Sequence, residues 1–449
     1  MKTIIIGAGE LGLLIASKLC ALNHNVVIID QQLELLEAAS NTLDAMMLEG
    51  SGTNIDILKK AGVDNADNLI ALTGDEATNL LACFLGKKLG AKKTICRIST
   101  TSIFSEDDGI TPALFNIDNF FSSIDEILSL IKGILPSRIL QETIKFPNPN
   151  AQINVINVPV NSVLLGSPLK NLSFQDRLKN IRLAAIIRNR ELIVPHGDTL
   201  LQPGDRVYIS GHREEVDKFS DWLSNDADAP VKRVVIAGMS TVAERLISYL
   251  VPNGFDVRII ESNRKRAELL TTKLSDKTIV LHGEINNAEI LEEADVEGCD
   301  AFAALSERDE NNVLACLLAS RLGAKKVIAL TGKAEYMDIL PDIERAGCWF
   351  NMTQIAANTV FRMMSNDTVR VDPQLQALNA KLVELPLSQN SKYIGIPLRE
   401  CKLPDNFLIA IIQRGDDVIA PTGATVLQAG DVIIAIASTK AILKTKRHI

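Results

Sequence analysis

Apolar runs of four or five residues recur through the first hundred positions, at Thr3–Ile6, Val26–Asp30, Ala45–Leu48, Leu69–Thr73 and Thr94–Arg97. Between them lie stretches with helical spacing, among them Leu11–Leu22, Asp56–Ala61 and Ala77–Leu89. Buried strands alternating with helices predict a parallel sheet wrapped on both faces. Gly62 and Gly90 stand where helix C-termini favour a left-handed residue. Ile124, Ile127, Leu128, Ile131 and Ile134 form an apolar stripe at helical spacing, ended by Pro136. At Pro147-Asn148-Pro149 the pattern changes. Short β-type runs (Ile153–Val158, Leu183–Ile187, Val207–Ile209) then alternate with the turn signals His196-Gly197-Asp198 and Pro203-Gly204-Asp205, which predicts a small α+β domain. The polar segment Asn225–Pro230 reads as a linker.

After the linker the same text returns. LACFLGKKLGAKK at 81–93 is echoed by LACLLASRLGAKK at 314–326, GSPL at 166–169 by GIPL at 395–398, and LQPGD at 201–205 by LQAGD at 427–431. A module written twice fixes the domain plan: nucleotide-type domains at 1–140 and 231–370, small domains at 141–225 and 371–449. The expected fold class is α/β, with two tandem Rossmann-like doubly wound parallel sheets, each followed by a small α+β domain. A stretch at 351–365 is the counterpart of the Ile124–Ile134 stripe and carries Met352, Ile355, Val360, Met363 and Met364.

Composition narrows the function classes. With 449 residues, 47% hydrophobic and 23% charged, the chain reads as soluble, globular and multidomain. A net charge of −8 argues against nucleic acid as a partner. The seven Cys are scattered without a CxxC or a His-Cys cluster, as in a reducing cytosol, and they suggest no metal site. No apolar run reaches the ~18 residues of a membrane span, and MKTIIIGAGE carries no cleavable signal pattern, so a cytoplasmic location is expected.

The candidate chemistry lies in Gly7-Ala8-Gly9-Glu10-Leu11-Gly12, which follows a strand and opens a helix, with Asp30 eighteen residues after Gly12. Gly7 allows a tight turn, Gly9 lets backbone N–H groups approach a pyrophosphate, and Gly12 lets the helix pack close to the sheet. The helix N-terminus attracts phosphate. Asp30 would accept hydrogen bonds from a ribose diol and repel a 2′-phosphate, so NAD, NADH, ADP or ATP fit better than a phosphorylated dinucleotide. Aligned on the apolar strand, Gly7, Gly9 and Gly12 correspond to Ala237, Met239 and Val242 in the second copy. Gly238 remains, offset by one, and Glu261 stands in place of Asp30. On this alignment Met239 should crowd a pyrophosphate. Thr73-Gly74-Asp75 and Ser306-Glu307-Arg308 end matching strands at the carboxyl edge, where ligands of open α/β sheets lie. Gly50-Ser51-Gly52-Thr53 ends the third strand. Arg97 ends the fifth and could grip a phosphate, whereas Leu330 takes its place in the second copy. None of the five His (His24, His196, His212, His282, His448) has a nucleophile or carboxylate at a recognisable spacing. No catalytic residues are expected. A NAD-dependent oxidoreductase and a ligand-free assembly scaffold remain the alternatives to a binding protein.

The set GxGxxG with a distal Asp, GSGT, LTGDEATNLLAC and LGAKK, followed by GSPL and LQPGD, resembles the regulator-of-potassium-conductance (RCK, also KTN) family. Two such modules in one chain are similar to the Trk-type potassium uptake regulators. The resemblance covers nearly the whole chain. It implies a homo-oligomeric ring, expected to be a tetramer, on the cytoplasmic face of a Trk-type membrane potassium-translocating subunit, with NAD(H) or adenine nucleotides as ligands that gate the pore. Its ligand positions fall on Gly7, Ala8, Gly9, Glu10, Leu11, Gly12, Asp30, Thr73, Gly74 and Arg97, with Gln31 and Ser51 beside them. In the second module they fall on Gly238, Met239, Ser240, Thr241, Glu261 and Ser306. From its residues the Ile124–Ile134 stripe fits either a core helix or a crossover helix swapped between subunits; the resemblance favours the swap, with 351–365 as its counterpart.

Overall fold

A computed structural model describes residues 1–104, 109–171, 180–189, 191–227, 231–274, 278–333, 336, 347–364, 369–370, 375, 380–404 and 407–446. The first module opens with strands β1 (Lys2–Ile6), β2 (Asn25–Asp30), β3 (Met46–Glu49), β4 (Asn68–Ala71), β5 (Lys93–Arg97) and β6 (Asn119–Phe121). Helices α1 (Glu10–Ala21), α2 (Leu33–Ser40), α3 (Ile55–Lys60) and α4 (Glu76–Lys88) cross between them, and α5 (Ser123–Ile134) follows β6. All pairings are parallel, in the order β3-β2-β1-β4-β5-β6. This is the doubly wound plan, whose switch point lies between β1 and β4. Both faces are covered, so β1, β2 and β4 are apolar without alternation: Ile4, Ile5, Val27, Ile28, Leu69 and Ile70 are all buried.

The first small domain is antiparallel, with β7 (Leu140–Lys145), β8 (Ala151–Asn157), β9 (Ile181–Arg188), β10 (Glu191–Ile193) and β11 (Arg206–His212), closed by α6 (Arg213–Ala227). The second module repeats the plan. Its six-stranded sheet holds β12 (Arg233–Ala237), β13 (Asp256–Glu261), β14 (Ile279–His282), β15 (Ala301–Ala304), β16 (Val327–Thr331) and β17 (Cys348–Asn351), in the order β14-β13-β12-β15-β16-β17. Its helices are α7 (Thr241–Leu250), α8 (Arg264–Lys273), α9 (Ala288–Glu293), α10 (Asp309–Arg321) and α11 (Met352–Met364). The second small domain has β18 (Val369–Arg370), β19 (Ala380–Pro386), β20 (Phe407–Arg414), β21 (Asp417–Ile419), β22 (Val432–Ser438) and α12 (Thr439–Lys446). The expected fold class is borne out.

The repeated LQPGD and LQAGD have a physical purpose. Asp205 is buried at the turn and takes both forks of Arg188 (Nε to Oδ1 2.7 Å, Nη2 to Oδ2 2.7 Å) together with the Gln202 N–H. Asp431 repeats this with Arg414 at 2.8 and 2.9 Å and with the Gln428 N–H. A bidentate pair with a backbone donor satisfies a carboxylate that would otherwise be costly to bury. The two small domains also share one apolar core. Ile153, Val155, Ala185 and Tyr208 from the first pack with Leu382, Ala410, Ile411 and Ile434 from the second.

The chain clusters into two compact units. One is residues 1–129 with 332–334 and 351–366; the other holds 130–331, 335–350 and the remainder to the C-terminus. The division exposes an exchange of helices between the two modules. Helix α11, which is encoded after the second sheet, covers the first: Ala356, Ala357, Val360 and Met364 join the core of Ile5, Leu11, Ile15, Leu19, Val26 and Ile28. Conversely, residues 130–134 of α5 belong with the second sheet, and Lys132 stacks over Tyr249 of α7 at 4.4 Å from the ring centroid. Within this chain the exchange joins the two modules.

The second Lys of each LGAKK holds the visiting helix. Lys93 donates to the carbonyl of Met363 in α11. Lys326 is fully buried and donates to the carbonyls of Ile134 and Ser137, both at 2.7 Å, and of Leu140. An ammonium among the orphan carbonyls of a helix C-terminus satisfies both sides.

Val360→Ala should therefore loosen the first sheet although it lies in the second module. A cost of about 1–3 kcal/mol is expected for the cavity, seen as lost hydrogen-exchange protection in β1 and β2 with β12 and β13 retaining theirs.

Candidate functional site

The glycine turn sits at the switch point. Gly7 leaves β1 with φ +110°, and a Cβ there would meet the backbone N of Thr73 at 3.2 Å. A Cβ on Gly12 would lie 2.0 Å from the Gly7 carbonyl oxygen, so α1 approaches the turn as closely as only glycine permits. A Cβ on Gly9 would meet nothing within 4 Å. Gly9 is the N-cap of α1 and offers no side-chain cap, which leaves the first amides of the helix without an intrahelical partner. Glu10 is exposed at the start of the helix, while Leu11 is buried beneath it.

Asp30 ends β2 beside this turn. Its Oδ2 accepts from the Ala8 N–H at 2.6 Å and its Oδ1 from the Gln32 N–H at 2.9 Å. The carboxylate is thus fixed by backbone and one amide of the turn is consumed, which the sequence did not reveal. Gln31 is exposed next to it. Ser51 follows β3 and bonds Thr53 at 2.8 Å. Thr73 and Gly74 follow β4, and Arg97 ends β5 on the same carboxyl edge. Burial pulls the Arg97 guanidinium below its usual pKa, and among the described residues no carboxylate or carbonyl pairs with it. A half-buried guanidinium with no such partner among the described residues carries a desolvation cost that an anion would relieve.

The second module departs from the first, though not in the register the sequence suggested. Gly7 N–H binds the Ile29 carbonyl at 2.9 Å, and Gly238 N–H binds the Ile260 carbonyl at 2.8 Å. Ile6 pairs with Ile29 as Ala237 pairs with Ile260. Gly238, with φ +84°, is therefore the partner of Gly7; a Cβ there would come within 2.4 Å of Ser306 Cβ. The alignment made on the apolar strand was one residue out, because Ile6 and Ala237 both end their strands and Ala237 had been set against Gly7. The true correspondence puts Met239 against Ala8, Ser240 against Gly9, Thr241 against Glu10 and Ala243 against Gly12. Met239 is buried and does not stand at the close-approach position.

What changes the second turn is its own side chains. Ser240 caps α7 by accepting from the Ala243 N–H at 3.4 Å. Arg266 reaches the Met239 carbonyl at 3.4 Å. Glu261 is buried and accepts from the Asn263 N–H at 2.6 Å. Leu330 replaces Arg97, as the strand register shows: Asn79 binds the Arg97 carbonyl and Asn312 binds that of Leu330. These two asparagines, six residues after Thr73 and Ser306, escaped the motif reading. The echo of LTGDEATN in LSERDENN was the available signal.

Comparison with known proteins places this geometry. The TrkA-N domain family matches residues 3–103 and again 234–348, and the TrkA-C domain family matches 155–224 and 382–449. The chain is similar to a Trk system potassium uptake protein TrkA homolog of Archaeoglobus fulgidus, 30% identical over 455 residues that cover 99% of each chain. It shares its fold with the solved GsuK RCK domain (TM-score 0.64, 16% identity, covering 100% of this chain and 94% of that one) and with a GsuK channel bound to NAD (TM-score 0.63, 17% identity, covering 100% and 78%). The class is a tandem Rossmann-type nucleotide-binding fold with paired small domains. The chain belongs to the TrkA family of Trk system potassium uptake proteins.

Gly12→Ala is expected to destabilise the first module by roughly 2 kcal/mol or more, because backbone must shift. Gly9→Ala should cost under about 1 kcal/mol. Thermal denaturation of the two variants side by side measures the difference.

Proposed function

We propose that this chain is a nucleotide-binding regulatory subunit of a potassium uptake system. It binds NAD(H), or ADP or ATP, at the first glycine turn, and it assembles as a homo-oligomeric ring, a tetramer on the simplest plan, against a Trk-type membrane potassium-translocating partner on its cytoplasmic side. The observation that carries the reading is the N-terminus of α1 at the switch point, without a side-chain cap, together with a fixed carboxylate at Asp30 and a cation at Arg97 that has no carboxylate partner among the described residues. These match the two ends of an adenine nucleotide: phosphates on free amides and a guanidinium, a ribose diol on a carboxylate. The likeness to the Archaeoglobus Trk system potassium uptake protein TrkA homolog and to a GsuK channel bound to NAD supports the same reading. No helix among the described residues is long and apolar enough to cross a membrane.

The second turn is read as self-satisfied, since Ser240 supplies the cap that a phosphate would supply and Leu330 offers no charge. One strong site per chain follows. The site binds and does not turn over its ligand. A ligand shifts the ring between two shapes only by the difference in its affinity for them, so two nucleotides that favour opposite shapes would open and close the partner.

Asp30→Ala and Arg97→Leu, the second copying the second module, should each weaken NADH or ADP about tenfold or more, the scale of a lost charge-assisted hydrogen bond. Calorimetric titration of the full chain measures it. Unchanged affinity in both variants would sink the assignment, and two equal sites per chain would overturn the self-capped reading of the second turn.

A further inference from the structure

Two buried amides hold the carboxyl edges of the two sheets. In the first, β4 and β5 pair in register as far as Ala71 opposite Cys96, and the direct ladder then stops. Asn79 takes over at that point from α4. Its Nδ2 donates to the carbonyls of Thr73 and Arg97, each at 3.0 Å. Its Oδ1 accepts from the Thr73 N–H at 2.9 Å and from the Thr73 hydroxyl at 2.7 Å. A primary amide has two donors and two acceptor lone pairs, and all four are used in a side chain that is 1% exposed. The second sheet repeats the arrangement past Ala304 opposite Ala329. Asn312 donates to Ser306 at 2.8 Å and to Leu330 at 2.9 Å, and accepts from the Ser306 N–H at 2.9 Å and its hydroxyl at 2.6 Å.

The inserted amide has a geometric effect. Where a direct N–H···O=C bond would draw the strand ends together, an amide between them holds them a side chain apart. It also fixes Thr73, whose peptide meets the glycine turn at Gly7. The Thr73 hydroxyl has the Asn79 oxygen and the Asp75 carbonyl, at 3.0 Å, as its acceptors. Its oxygen also accepts from the Asp75 N–H at 3.3 Å, so the hydroxyl is tied on both sides to the start of α4.

We propose that Asn79 is a positioning residue for the nucleotide site, clamping the Thr73 loop to the Arg97 strand end so that the glycine turn, Thr73 and Arg97 meet one ligand together. This rests on the nucleotide reading above. Asn312 makes the same clamp where Leu330 has no charge to aim, so it serves its fold alone and provides a matched control.

The test uses full-length chains carrying Asn79→Ala or Asn312→Ala, with thermal midpoints and calorimetric titration with NADH. Both substitutions remove the same four hydrogen bonds and should lower the midpoint by similar amounts. Only Asn79→Ala should weaken NADH at the first site, by tenfold or more. Unchanged affinity in Asn79→Ala, with a wild-type chain that binds, would overturn the clamp and leave the nucleotide reading standing. Equal loss in both variants would also overturn it, since the amides would then act through general stability. A wild-type chain that bound neither NADH nor ADP would overturn the nucleotide reading and the clamp with it. If Asn79→Ala does not fold, the isosteric Asn79→Asp, which keeps the acceptor and loses both donations, is set against Asn312→Asp with the same outcomes decisive.

Discussion

The structure depends on one debt of buried surface. A doubly wound sheet needs helices on both faces, and the first sheet does not have enough of its own. Ile5, Ile28, Leu11, Ile15 and Leu19 present an apolar surface that α11, from the other half of the chain, completes with Ala356, Ala357, Val360 and Met364. The paired alanines let the helix approach closely, and Val360 and Met364 fill the space beside them. The reach of Lys93 to the end of that helix, and of Lys326 to the end of α5, turns an apolar contact into a directed one. Hydrophobic burial supplies the driving force without direction, and the lysines supply the register.

That constraint explains why the two halves are alike in scaffold and different in chemistry. The features common to both modules, LGAKK, the buried Asn, and the Arg–Asp pair of the small domains, serve packing or backbone satisfaction. The features that differ lie at the carboxyl edge: Gly9 against Ser240, an exposed-edge Asp30 against a buried Glu261, Arg97 against Leu330. A duplicated scaffold must keep its exchange intact in both copies, but it can specialise the two crevices separately.

Much of this was legible beforehand, for physical reasons. The parallel doubly wound sheets follow from apolar runs too continuous for one-sided sheets, and their duplication from the repeat itself. The geometry at Gly7 and Gly12 was legible because a tight turn and a close helix approach restrict residue type. Three things were not legible. The register of the second turn depends on which peptide bonds to Ile260, and apolar spacing cannot resolve one residue at a strand end. The stripe of α11 announces a buried face but not what buries it. Asn79 is invisible as chemistry because its partners are mostly backbone carbonyls and amides, which every residue carries.

The exchange also bears on how the protein is made. The first sheet is complete once residue 121 has left the ribosome, yet the helix that seals it ends at Met364. For more than half of synthesis the nascent first domain lacks Ala356, Ala357, Val360 and Met364, which belong to its core. Its maturation is therefore tied to the completion of the second module, and a chain stopped early would be a natural client for chaperones that bind exposed apolar surface.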